Sequence, residues 1–116
     1  MTAILLISHG SYSRQAKSEI ANLVKQLKKK IRIPIFHYAF LEINHPNIPA
    51  GINACLKSGA KRIIVILNFL NSGRHVNQDV PVIVAEARKK YPKIPIKITK
   101  PVGQEEGITD LFLGLI

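Results

Sequence analysis

Two histidines, each placed where an apolar run gives way to a glycine-containing turn, carry the chemistry that this sequence offers. His9 stands in Ile7-Ser8-His9-Gly10-Ser11, directly after the run from Ala3 to Ile7. His75 stands in Asn71-Ser72-Gly73-Arg74-His75, shortly after the run from Ile63 to Leu70. A carboxylate, Glu42, follows a third apolar run that ends at Phe40. If the runs are parallel strands, all three residues reach the rim at the carboxyl ends of one sheet, where open α/β folds bind ligands. Neutral imidazole is the commonest protein metal ligand and accepts a proton near neutral pH. Two imidazoles and a carboxylate form a borderline-to-hard donor set suited to Co2+, Ni2+ or Fe2+. Either histidine alone reads more simply as a loop residue; the pair at matching strand ends is what points to a site.

The elements that must position these residues alternate along the chain. Ala3 to Ile7 is a continuous aliphatic run suited to a strand buried on both faces. From Ser13 to Lys30 the apolar positions Ala16, Ile20, Leu23, Val24 and Leu27 fall three or four apart, as on one helix face. Ile33 to Phe40 reads as a second strand, and Asn47 to Ser58 as a shorter helix that Gly59 would stop. Arg62 to Leu67 is the clearest strand and reads as central. A polar loop then leads to a helix from about Asn77 to Lys90, with Pro81 tolerated in its first turn. Ile94, Ile96 and Ile98 alternate with proline or lysine, as in an edge strand. Gln104 to Ile116 reads as a final helix interrupted by Gly107 and Gly114. The expected fold is one α/β domain over residues 1–116: three layers, with a four-stranded parallel sheet flanked by helices in a flavodoxin-like winding.

Further side chains fall near the same rim. Arg14 and Arg74 are the cations best placed to pair with ligand carboxylates. Ser11 reads as a cap for the first helix, and the glycines and serines beside the histidines, Gly73 among them, allow a bulky ligand to approach closely. His37 lies within the second strand and reads as a hydrogen-bonded core or edge residue. His45 precedes Pro46 in a turn near Glu42, where it is a turn residue or an accessory ligand. Asp79 reads first as a structural residue of the third helix's opening turn.

Composition narrows the classes. At 116 residues and 47% hydrophobic, the chain has the length of one domain with one core and is not disordered. No stretch approaches the ~20 apolar residues of a membrane-spanning helix, and the first residues read as a strand instead of a signal peptide. The lone Cys55 forms no internal disulfide and no cysteine-based zinc site, which suits a cytoplasmic protein. The net charge of +10 raises nucleic-acid binding as a possibility. Yet Lys28, Lys29, Lys30, Lys57, Arg88, Lys89 and Lys90 all sit at expected helix C-termini, where the helix dipole favours cations. That edge lies opposite the histidines, and no aromatic-rich basic stripe argues for dedicated nucleic-acid recognition. Phosphate-loop, dinucleotide, metalloprotease-helix and nucleophile-elbow motifs are absent.

At the level of motifs the chain resembles the short, single-domain class II chelatases of the CbiX/SirB type. The anchors are Ser8-His9-Gly10-Ser11, Ala39-Phe40-Leu41-Glu42 with His45-Pro46-Asn47-Ile48, and Gly59 to Val65 leading into Asn68-Phe69-Leu70-Asn71-Ser72-Gly73-Arg74-His75 and Asp79-Val80-Pro81. Pro101-Val102-Gly103 is the last. The resemblance implies insertion of a divalent metal, Co2+ first and Ni2+ or Fe2+ next, into sirohydrochlorin during cobalamin, siroheme or related tetrapyrrole biosynthesis. His9 and His75 become the metal-handling histidines, and Glu42 the acidic residue that works with them. Ser11, Arg14, Gly73 and Arg74, with Lys100 as a further cation, are assigned to the polycarboxylate substrate. The metal is a substrate, and no organic cofactor is implied. Because longer family members contain two such domains, the resemblance also implies a homodimer that encloses the macrocycle, with no membrane or nucleic-acid partner. Tyr12 and Asn68 depart from the family pattern.

Two other classes compete with this reading. One is a metal or tetrapyrrole carrier of the same fold. The other is phosphoryl transfer through His9, which a Ser8 in place of arginine argues against.

Overall fold

The computed structural model describes residues 1–116. Its four strands are β1 (Thr2–Ser8), β2 (Ile35–Phe40), β3 (Arg62–Leu67) and β4 (Ile96–Pro101), and its α-helices are α1 (Arg14–Lys30), α2 (Ile48–Lys57), α3 (Val80–Lys90) and α4 (Gly107–Leu113). All pairings are parallel, in the order β2-β1-β3-β4. The two strands that carry unbroken aliphatic runs, β1 and β3, lie at the centre. Lys97 and Lys100 punctuate β4 at one edge, a charged device that discourages further strand pairing.

Because side chains alternate along a strand, β1 feeds two cores. Ala3, Leu5 and Ile7 join Ile63, Val65 and Leu67 in a cluster of 16 buried residues, which Ile48, Ile52 and Cys55 of α2 and Val80 and Val84 of α3 close from one side. Ile4 and Leu6 face the other way, onto Phe36 and onto Val24 of α1. Ile20 and Leu27, one turn either side of Val24, complete the packing stripe. The result is the three-layer arrangement expected. No helix is long and apolar enough to cross a membrane.

Several boundaries differ from the sequence expectation, each for a local reason. β2 starts at Ile35 instead of Ile33, after Pro34, which has no N–H to give a ladder. The α1 cap is Ser13, whose Oγ accepts the Ala16 N–H at 3.2 Å; the Ser11 hydroxyl instead accepts the Ser13 N–H at 3.0 Å. Asn47 caps α2 in the same manner, accepting from Ala50 at 2.9 Å, and Gly59 turns the chain out of that helix at φ +99°. The third helix begins two residues early, at His75, with a π-turn (His75–Asp79) that runs into α3. Pro81 supplies a cause: it has no N–H for the Asn77 carbonyl and its ring crowds that carbonyl. The helix widens, and the Val80 N–H bonds the His75 carbonyl five residues back.

The end of the chain also departs from expectation. In place of one helix from Gln104, a 3-10 turn (Val102–Gln104) precedes a short α4. Leu111, Phe112 and Leu113 are 59–65% exposed, and Ile116 is fully exposed. α4 therefore contributes nothing to either core.

Candidate metal centre

The backbone sets the first half of the centre. Beyond their last paired residues, β1 and β2 stay joined: Leu41 N–H donates to Ser8 O at 2.9 Å and Glu42 N–H to His9 O at 3.0 Å. His9 and Glu42 are thus held side by side. Gly10 makes the approach possible. Its φ of +108° suits glycine, and a Cβ there would lie 1.9 Å from the Glu42 carbonyl oxygen. Across the turn the Asn44 side chain accepts the Ser11 N–H at 2.7 Å, and Ile43 is held at φ 72°, a region that strains a β-branched residue.

The second half comes from the far side of β3. Asn68 N–H donates to Ile7 O at 2.8 Å, and its side-chain amide donates to Ser8 Oγ at 3.0 Å. Ser8 is the one buried polar residue of the chain, so Asn68 satisfies it and closes the rim between β1 and β3. The loop that follows is tied to the end of β4 by Gly103 N–H to Phe69 O and by the Gln104 amide to Leu70 O, at 3.0 and 2.9 Å. From there the chain enters the π-turn with His75 as its first residue.

The three side chains converge. His9 Nε2 lies 2.7 Å from Glu42 Oε1, and His75 Nε2 lies 3.9 Å from the same oxygen. The two rings are 4.8 Å apart between centroids and tilted by 51°. One ligand atom from each of His9, Glu42 and His75 falls within 4.8 Å of the others. Nδ1 of His75 is engaged elsewhere, donating to Asp79 Oδ2 at 2.7 Å, while the His9 ring has the Gly10 carbonyl 3.1 Å from Nδ1 and hydrogen-bonds Glu42 Oε1 through Nε2 at 2.7 Å. The His75 Nε2 lone pair therefore faces Glu42, whereas His9 Nε2 is itself hydrogen-bonded to Glu42 Oε1, a contact that an arriving cation would replace. The side chains are 43%, 50% and 45% exposed for His9, Glu42 and His75, so the centre is open to a large ligand. Open coordination is what distinguishes sites that process a ligand from closed structural cages. A cleft lined by Leu41, Glu42, His75, Asp79, Val82 and Ile83 continues from it along α3.

The other residues singled out by sequence are distributed around this centre. Ser11 lines a small cavity beside His9 with Lys17, Asn44 and Asn68. Arg14, Gly73 and Arg74 are exposed on the first turn of α1 and just before the π-turn. Lys100 lies 3.9 Å from Glu105. His45 stays outside the ligand cluster and lines a cavity with Lys17, Tyr38 and Phe40, so the accessory-ligand alternative is not realised. His37 hydrogen-bonds Ser58 Oγ at 3.0 Å, as expected of an edge histidine. Burial, and then the Lys28 charge, push its pKa below the ordinary value. Asp79 corrects the sequence reading: it makes no cap hydrogen bond and instead holds His75. The i,i+4 spacing of the two residues was the available signal. Asn44 and the bracing role of Asn68 carried no signal that sequence reasoning could use.

The molecule is thus of the class of parallel four-stranded α/β domains that carry on their carboxyl rim an open cluster of two histidines and one carboxylate, a donor set able to hold a cation. The particular family follows from comparison: the chain belongs to the CbiX family, whose profile matches residues 3–115. It is 34% identical to the sirohydrochlorin ferrochelatase of Bacillus subtilis (strain 168) over 106 residues, covering 91% of this chain and 41% of that protein. It is 30% identical to the sirohydrochlorin cobaltochelatase of Sulfolobus acidocaldarius over 112 residues, covering 97% of this chain and 87% of the relative. The crystal structure of the sirohydrochlorin chelatase SirB from Bacillus subtilis subspecies spizizenii, in complex with cobalt, superposes with a TM-score of 0.90 at 34% identity. That match covers 97% of this chain and 48% of that one. The chain thus spans about half the length of the ferrochelatases it matches. The resemblance read from the motifs and the fold expected from the apolar runs are both borne out.

Proposed function

We propose that this protein inserts a divalent metal ion into sirohydrochlorin, with Co2+ the first candidate and Ni2+ and Fe2+ within reach of the same ligands, for cobalamin, siroheme or a related tetrapyrrole. The observation that carries the reading is the convergence of His9, Glu42 and His75 within 4.8 Å on an open rim. Family membership and relatives named for both iron and cobalt insertion support it.

The chemistry asks for two things. The incoming ion must shed water, and two pyrrole N–H protons must leave as the four ring nitrogens bind the ion. The Nε2 atoms of His9 and His75 take the places of departing waters, and neutral nitrogen donors with one carboxylate hold the ion loosely enough to release it. Glu42 and the histidines are also acceptors for the two pyrrole protons once the ion has passed on. Leu41, Val82 and Ile83 give the flat ring an apolar wall beside the ligands. Ser11, Arg14, Gly73 and Arg74 meet its carboxylates. A second copy of the chain supplies the opposite wall in this reading; the apolar, exposed α4 and the roughly doubled length of several relatives support it.

The test mixes purified protein anaerobically with sirohydrochlorin and Co2+, Ni2+ or Fe2+ and follows the absorbance spectrum, with sedimentation to read the oligomeric state. Catalysed insertion that falls by roughly 10²–10⁴-fold in His9→Ala and His75→Ala is the expected result. Rates equal to the uncatalysed background with every metal would overturn it and leave a carrier.

A further inference from the structure

His9 and His75 are mounted differently. The His9 ring lies between the Gly10 carbonyl, 3.1 Å from Nδ1, and Glu42 Oε1, 2.7 Å from Nε2, in a turn that backbone hydrogen bonds already lock to Glu42. His75 is the first residue of a helical turn on the rim, and its Nδ1–H is met by a side chain instead, Asp79 Oδ2 at 2.7 Å. That carboxylate has no other partner in the structure, neither as a helix cap nor in an ion pair with lysine or arginine.

We propose that Asp79 is a positioning residue: by accepting the His75 Nδ1–H it holds that imidazole in one tautomer and one rotation, with Nε2 presented to Glu42 Oε1 and to the incoming ion. The inference rests on reading His9, Glu42 and His75 as a metal-handling centre. Its physical content is simple. An imidazole ligates through the nitrogen that lacks the proton, so whichever nitrogen is hydrogen-bonded to an acceptor decides which one faces the metal. An ionised acceptor holds the proton more firmly than a backbone carbonyl and makes the opposite nitrogen a better donor. Val76 and Val80, buried on the core side of the same turn, fix its rotation about the helix axis. His75 and Asp79 are left paired at the rim. Without Asp79 the ring is free to turn and to carry its proton on Nε2, where it blocks ligation.

The experiment compares wild type with Asp79→Ala, Asp79→Asn and, as a control for loss of one negative charge, Glu19→Gln on the exposed face of α1. Long-range proton–nitrogen spectra of the metal-free protein at about pH 8, above the ordinary imidazole pKa, report the tautomer of each histidine. Titration with Co2+ followed by visible absorption reports affinity. Wild type and Glu19→Gln should show His75 wholly as the Nδ1–H tautomer. Asp79→Ala should show a mixture and bind Co2+ about 10–100-fold more weakly. Asp79→Asn, whose side-chain oxygen still accepts a hydrogen bond, should keep the tautomer and lose less. Unchanged tautomer and affinity in Asp79→Ala, with wild type binding Co2+, would overturn the role of Asp79 alone. Wild type that binds no Co2+ would overturn both this role and the metal-centre reading.

Discussion

The two faces of the sheet are built to different standards. On one, α2 and α3 close over 16 buried residues, among them Leu5, Ile7, Ile52, Ile63 and Val84 at 0–1% exposure. On the other, the buried cluster numbers four, with Phe40 covered beside it, and Val24 is the sole buried residue of the 17-residue α1. Ile64 and Ile66 of central β3 remain half-buried there, and Tyr38 is 37% exposed. The site is distributed unevenly over these two layers. Glu42 leads towards α2 and His75 opens the stretch that becomes α3, whereas His9 alone leads into α1. Two of the three candidate ligands are therefore anchored to the better-packed layer, and the third is held chiefly by strand-end hydrogen bonds. Local stability follows packing, so the thinner face is where the molecule opens first and where the site is easiest to loosen.

Adjacent residues of one strand give the sharpest way to break this comparison. Leu5 faces the thick layer and Leu6 the thin one, at 0% and 3% exposure. The chemical change Leu→Ala is the same at both, so any difference reads how well each surrounding collapses into the cavity. Leu5→Ala should cost about 4–5 kcal/mol and Leu6→Ala about 2–3 kcal/mol, measured by urea unfolding. Equal costs would mean that the two layers are equally rigid. The second test overfills the thick layer. A Cβ at Gly51 would lie 2.9 Å from Ala39 Cβ and 2.9 Å from Leu5 Cδ1. The helix-propensity gain of about 1 kcal/mol for Gly→Ala is smaller than the strain, and Gly51→Ala should lose about 1–2 kcal/mol net. Because Leu5 is one of the atoms in the way, combining it with Leu5→Ala should cost less than the sum of the two.

How much of this was legible in the sequence depends on the range of the forces involved. Continuous aliphatic runs marked the strands, and β3 is placed residue for residue at Arg62–Leu67, because burial on both faces demands such runs. The convergence of His9, Glu42 and His75 followed from the strand order alone, since parallel strands bring their carboxyl ends to one rim. What failed was decided by single hydrogen bonds. Ser11 and Ser13 are equally good caps on paper, and only the path of the turn selects Ser13. Asp79 could be placed on the third helix but not on His75, because that pairing depends on the helix starting at His75 and widening before Pro81. The C-terminal residues have the apolar content of a packed helix, and nothing local reveals that α4 is left uncovered within one chain.

Cys55 offers a third measure of the thick layer. It is fully buried, and burial pushes its thiol up to about 11, so the reactive thiolate is scarce as well as shielded. Labelling by a thiol reagent should proceed only through opening of α2 and slow in step with global stability. Labelling that outpaces global unfolding by more than tenfold would show that the thick layer opens on its own.

The smallest expected effect lies at the edge where the two layers meet. His37 points towards the thick side but sits on edge strand β2, bonded to Ser58, with Lys28 of α1 nearby. Its pKa in the folded state is lowered from 6.5, first by burial and then by that lysine. The unfolded chain therefore takes up the proton first as pH falls. Above 6.5 both states are neutral and His37 contributes no pH dependence. As pH falls through 6.5 towards the lower folded value, stability is lost, and below the folded value the loss levels off. Melting curves of wild type and His37→Gln between about pH 8 and pH 5 isolate this contribution from that of the carboxylates, which both proteins share. Wild type should lose ground to the variant over that interval, by a small amount because the ring is only partly buried. A difference that stays constant with pH would mean that the edge of the thick layer is as wet as the thin one.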